Sequence, residues 1–176
     1  MSLNYLLKEK KIKYPGEILQ VLDRKIKYTI KQRKDEFNDL FGMDMALCSL
    51  DVNTNILEYA GAFNPLWIYD GAMISEIKPD RYPVGHYFFE PNEKMFKTHH
   101  MMMNSGDRIY LFSDGYQDQF GGEDGEKFMK ERLKELILSS AHLSLVEQRE
   151  KLASSFDEWM LGHDQIDDVM IFCVEV

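Results

Sequence analysis

Two apolar runs in this 176-residue sequence each meet a cluster of acids. Arg108-Ile109-Tyr110-Leu111-Phe112 leads into Ser113-Asp114-Gly115, and Gln165-Ile166-Asp167-Asp168 leads into Val169-Met170-Ile171-Phe172. A carboxylate at the end of a strand is held by a rigid sheet yet faces the solvent rim, where a hard divalent cation can be gripped by oxygen ligands. Each cluster also has a plainer reading. Ser-Asp-Gly is turn sequence, with the Asp bonding its own backbone and the Gly supplying a positive φ. Adjacent acids beside a strand also guard a sheet edge against aggregation. Neighbouring side chains on an extended backbone point to opposite faces, so Asp167 and Asp168 cannot share one role.

Other chemistries find less support. His86, His99, His100, His142 and His163 show no metal-ligand spacing. No Ser or Cys sits in a nucleophile elbow, and no glycine loop has phosphate-cradle spacing. Gly121-Gly122-Glu123-Asp124-Gly125 is glycine-rich but acidic, and reads as a mobile loop. Cys48 and Cys173 lie in apolar runs and read as small buried hydrophobes of a reducing, cytoplasmic protein. The net charge of −9 and the lack of a basic stripe argue against a nucleic-acid partner. Lys8, Lys10, Lys11 and Lys13 read as a solvated segment rather than a phosphate-binding arm. No apolar stretch approaches the ~20 residues that span a bilayer.

The chain is long enough for one domain with its own core. Pro15, Ile18, Leu19, Leu22 and Ile26 mark a helix with Pro in its first turn. Period-two and apolar runs predict strands at residues 45–50, 56–60, 66–69 and 73–77, read together as an antiparallel meander with short connections. A strand over 95–102, a turn at Asn104-Ser105-Gly106-Asp107 and a partner strand over 108–113 follow. Tyr82-Pro83-Val84-Gly85 reads as a loop passing close to another backbone. A helix is expected over 126–139. Ser144 and Glu147 form a capping box for a further helix carrying Leu145, Leu152, Phe156 and Trp159 on one stripe. A last strand is expected over 168–174. Central strands with helices at both ends mean an α+β class.

Five segments carry a resemblance. They are Gly42-Met43-Asp44-Met45-Ala46-Leu47-Cys48, Tyr59-Ala60-Gly61-Ala62-Phe63-Asn64-Pro65-Leu66, Pro83-Val84-Gly85, the run from Gly106 through Ser113-Asp114-Gly115 to Gly122, and Gln165-Ile166-Asp167-Asp168-Val169. As an ordered set over residues 15–176 they resemble the SpoIIE-type branch of the metal-dependent (PPM) serine/threonine protein phosphatases. The resemblance implies an αββα sandwich of two antiparallel sheets with a binuclear Mn²⁺ or Mg²⁺ site at one end. It implies removal of phosphate from phosphoserine or phosphothreonine in a partner protein, often an anti-sigma factor antagonist, in bacterial signal transduction. In such sites two cations ~3.5–4 Å apart activate a bridging water for in-line attack. By position, the resemblance makes Asp114 and Asp167 metal ligands, Gly115 the point where backbone must come close, and Asp168 a supporting residue.

Family members also carry a Gly-Asp segment and a further glycine-rich segment with Asp and His, both upstream of the helix that begins here at Pro15. This sequence shows neither. The expectation is a linker or added start over 1–14 and, over 15–176, the C-terminal portion of a longer phosphatase with an upstream sensor domain. Such a chain should bind Mn²⁺ weakly and turn over little substrate alone. Its sheet should lack its N-terminal strands, leaving an open edge or an exchanged strand in a homodimer. The competing expectation is a degenerate, non-catalytic phosphatase fold that docks a partner or transmits a signal. A metal-dependent nuclease is disfavoured by the acidic charge.

Overall fold

The computed structural model describes residues 13–32, 42–85 and 95–176. His86 and the basic residues Lys8, Lys10 and Lys11 lie outside the described residues. The chain forms two compact units: one takes the chain up to Leu66 with Ile77–Asn104, the other Trp67–Glu76 with Ser105–Val176. Each unit carries an antiparallel sheet with its own helices, so the expected α+β class of antiparallel sheets flanked by helices is what the protein has.

In the first unit, α1 (Pro15–Gln32) buries Ile18 and Leu19. Leu19 shares a cluster with Ala60, Ala62, Val84 and Phe96, and each large aliphatic side chain so buried contributes about 1.5–3 kcal/mol. β1 (Met45–Asp51) and β2 (Ile56–Ala62) form a hairpin in register from Met45↔Ala62 to Asp51↔Ile56. The Asp51 carboxylate closes its turn by accepting from the amides of Asn53 and Thr54. Val84 makes a two-bond backbone bridge with Met43, the close approach expected of the Pro83–Gly85 loop.

The second unit holds all but the first residue of β3 (Leu66–Tyr69), all but the last of β4 (Ile74–Ile77) and, further on, β6 (Arg108–Phe112) and β9 (Ile171–Glu175), in the order β4-β3-β6-β9. The meander expected from the first four strands is therefore broken between β2 and β3. The break falls at Phe63, whose φ of 57° turns the chain out of the first sheet just before Asn64-Pro65. A second expectation also fails. The strand predicted from residue 95 begins only at His99; just before it the Lys97 amide is spent on the Asp80 carboxylate rather than a ladder partner, and the Thr98 hydroxyl accepts from the Gly16 amide. This β5 (His99–Met102) pairs with β2, not with β6, so Asn104–Asp107 is a crossover rather than a hairpin turn.

After β6 come α2 (Gly115–Asp118), β7 (Phe120–Gly121), β8 (Glu126–Lys127), α3 (Lys130–Ser139) and α4 (Leu145–Met160). The helix predicted from residue 126 starts at Lys130, since Glu126–Lys127 pairs with Phe120–Gly121 and Met129 sits at φ 74°. The acidic glycine-rich segment is the turn of that hairpin. The capping box at Ser144 and Glu147 is present in both directions. Leu152 and Phe156 bury the expected stripe against Tyr110, Tyr116, Leu133 and Ile137. Arg108, nearly buried, fixes the end of β9 by bonding Glu175 at 2.7 Å and the carbonyls of Ala141 and Leu143 at 2.9 Å each.

Candidate functional site

β6 ends at Phe112, and Ser113 carries the chain to Asp114 at the start of α2. Asp114 is exposed, has right-handed helical angles (φ −76°, ψ −15°) and makes no side-chain capping bond. Gly115 is not among the positive-φ glycines. The self-bonded turn reading therefore does not describe this corner. What Gly115 provides is room: a Cβ there would stand 2.5 Å from the Asp168 carbonyl oxygen, 2.9 Å from the Asp168 carbonyl carbon and 3.3 Å from the Asp167 oxygen. A side chain would collide with that backbone, which is fixed rather than a flexible tip. The structure thus brings the Asp114-Gly115 corner directly against the Asp167-Asp168 corner.

Asp167 and Asp168 were expected to open the last strand, but β9 starts at Ile171. Ser113 is the reason. Its hydroxyl donates to the Asp168 carbonyl at 2.7 Å and accepts from the Met170 amide at 2.9 Å, replacing the ladder there. Its own amide donates to the Met170 carbonyl at 3.0 Å. The Asp167 carboxylate accepts from the Asp168 amide at 2.7 Å, and Gln165 donates to the Asp167 carbonyl at 2.7 Å. Asp114, Asp167 and Asp168 are all exposed. The sequence carries little sign of this role for Ser113 beyond a hydroxyl residue between a strand and an acidic turn.

A binuclear cation site needs more oxygen ligands than two carboxylates supply. Among the described residues, no group of three or more His, Cys, Asp or Glu side chains converges to hold a metal ion. The paired corners therefore do not by themselves fit a binuclear centre. Of the described histidines, His99 lies against Tyr59, His100 reaches Glu58 at 3.3 Å, and His142 and His163 are exposed. Cys48 and Cys173 are free thiols. Burial pushes the Cys48 thiol up to about 12, which keeps it protonated and unreactive near neutral pH.

The family model for stage II sporulation protein E (SpoIIE) matches residues 2–176. The chain belongs to the SpoIIE family. No curated protein sequence matches it. Among solved structures, the SiaA-PP2C domain of Pseudomonas aeruginosa is 25% identical and superposes with a TM-score of 0.82, over 98% of this chain and 65% of that one. The RsbU and RsbW domains of a Mycobacterium tuberculosis protein match at 19% identity and a TM-score of 0.61, over 96% and 43%. The phosphatase domain of SpoIIE from Bacillus subtilis, presoaked with Mn, matches at 16% identity and 0.54, over 76% and 56%. This SpoIIE-family chain has the PP2C-type phosphatase fold and spans about two thirds of the SiaA domain's length. No helix among the described residues is long and apolar enough to cross a membrane.

Proposed function

We propose that this chain is the C-terminal portion of a metal-dependent phosphoserine/phosphothreonine protein phosphatase in a bacterial signalling protein. Asp114 and Asp167 act as carboxylate ligands to Mn²⁺ or Mg²⁺, with Gly115 permitting their approach and Asp168 in support. The observation that carries this reading is the contact of Gly115 with the Asp167 and Asp168 carbonyls, which brings two exposed acidic corners from distant sequence to one place. Membership of the SpoIIE family supports the reaction class. The other ligands come from residues beyond this pair, in an upstream part of the longer protein. A cytoplasmic phosphoprotein, of the anti-sigma factor antagonist kind, is the substrate class. A sensor domain upstream would control the activity.

A second reading is a non-catalytic phosphatase fold that docks a partner. It is favoured by one observation, the lack of a three-ligand group among the described residues. Hydrolysis of p-nitrophenyl phosphate with Mn²⁺ separates the two readings. The 176-residue chain alone should turn over little or nothing, and a form extended upstream should be active, with Asp114→Asn abolishing that activity. An extended form that carries a Gly-Asp segment yet remains inert would favour the docking module.

A further inference from the structure

Gln119 is fully buried, an unusual place for a glutamine unless its amide is satisfied. It follows α2 and precedes β7. Every part of its carboxamide is engaged. Nε2 donates to the carbonyls of Phe120 at 3.0 Å and Asp164 at 2.9 Å, and Oε1 accepts from the Ile166 amide at 3.4 Å. Its own carbonyl accepts from the Phe128 amide at 2.9 Å and the Trp159 indole at 3.1 Å. A network this fully satisfied in a low-dielectric interior orders what it touches, because loss of any partner leaves a buried polar group unpaired.

What it touches is the segment that leads into Asp167. We propose that Gln119 is the positioning residue of the paired acidic corners. It ties the turn that follows Asp114 to residues 164–166, so that Asp167 arrives against Gly115 in one fixed register. Gln119 reaches neither carboxylate and acts through backbone alone. Ser113 holds the far side of the same corner through Asp168 and Met170, so Asp167 is clamped from both directions. The position calls for two donors and one acceptor on one side chain of this length. Leucine supplies the volume without the bonds, glutamate lacks the donors, and asparagine is one methylene short. The inference concerns the geometry of the corners; its bearing on catalysis rests on the phosphatase reading above.

Gln148 provides an internal control. It is also almost fully buried, with Oε1 accepting from the Tyr110 hydroxyl at 2.9 Å and Nε2 bonding the Ile137 carbonyl and the Ser140 hydroxyl at 3.1 Å each. It joins α3, α4 and β6 and makes no bond to the acidic corners. The test is amide hydrogen exchange by NMR on the 176-residue chain, comparing wild type, Gln119→Leu and Gln148→Leu. The diagnostic amides are Ser113 and Met170, which bond to each other's residue and not to Gln119. In Gln119→Leu they should exchange at least about tenfold faster than in Gln148→Leu. Should Gln119→Leu fail to fold, Gln119→Asn is measured and should accelerate the same two amides. The proposal is overturned if these amides stay within about twofold of wild type while Ile166 alone is released, or if Gln148→Leu accelerates them equally. The measurement uses neither metal nor substrate. Accelerated exchange beside a failed phosphatase assay sinks the functional reading and leaves the clamp intact; the reverse result sinks the clamp alone.

Discussion

Asp23 and Asp114 each work beside a glycine with no room for a side chain, but the fold consumes one carboxylate and leaves the other open. In the first unit Asp23 is buried, with Oδ1 accepting from the Gly85 amide at 2.8 Å and Oδ2 paired to Lys27 at 2.8 Å. Gly85 sits at φ 85°, and a Cβ there would stand 2.5 Å from the Ile26 Cγ2. In the second unit Asp114 is exposed and uncapped, and the tight approach at Gly115 is made by backbone to backbone. A structural acid is recognised by its internal partners; an acid available for chemistry is held in place by its neighbours and keeps its oxygens toward solvent. Types and spacing alone do not separate the two cases.

The contrast can be broken by substitution. Asp23→Ala removes the acceptor of the buried Gly85 amide and the ion pair to Lys27, and should lower stability by about 3 kcal/mol in urea titration. Gly115→Ala drives a methyl into a carbonyl oxygen and should cost roughly 1–3 kcal/mol while displacing the Asp167 backbone, read as shifted amide resonances at residues 165–170. Asp114→Asn should change stability by no more than about 0.5 kcal/mol, because its carboxylate supports nothing in the fold. Equal destabilisation by Asp23→Ala and Asp114→Asn would erase the distinction.

A smaller effect sharpens the same point with an exposed acid that does have a fold partner. Hydrogen bonds from the Ser144 side chain and amide hold the Glu147 carboxyl below its ordinary value. A lowered folded-state value means the stabilisation is complete above the unfolded value, about 4.3, and is lost as pH falls through the lower folded value. Glu147→Gln should therefore lower the neutral-pH melting temperature slightly, leave the value below the folded-state titration nearly unchanged, and so remove a small part of the acid sensitivity. A variant that melts with the same pH profile as wild type would show that this cap contributes nothing measurable.

Much of the fold was legible because local chemistry and tertiary structure agree. Pro15 and the stripe through Leu19 marked α1, and Ser144 with Glu147 marked the start of α4. The hairpin of β1 and β2 followed from the Asp51–Asn55 turn. Sheet membership was not legible. Nothing in the short Phe63-Asn64-Pro65 link announces that β3 joins a different sheet, and the positive φ there falls at a non-glycine residue. Glu126 and Lys127 have good helix propensity but are drawn into a hairpin by pairing with Phe120 and Gly121. At the site, the ordered motifs pointed to both acidic corners, and Gly115 was read as a place of close approach. The clamps were hidden, because Ser113 and Gln119 act through backbone groups that are distant in sequence.

The central claim is that Asp114 and Asp167 are two ligands of one metal centre that this chain alone does not complete. Calorimetric titration of Mn²⁺ into the upstream-extended protein tests it most directly, with Asp114→Asn and Asp167→Asn in parallel. The account predicts well-defined binding in the extended protein and loss of at least about tenfold in affinity in each variant, with melting temperatures unchanged in the metal-free state. Mn²⁺ binding that is the same in both variants as in the unaltered protein would contradict it.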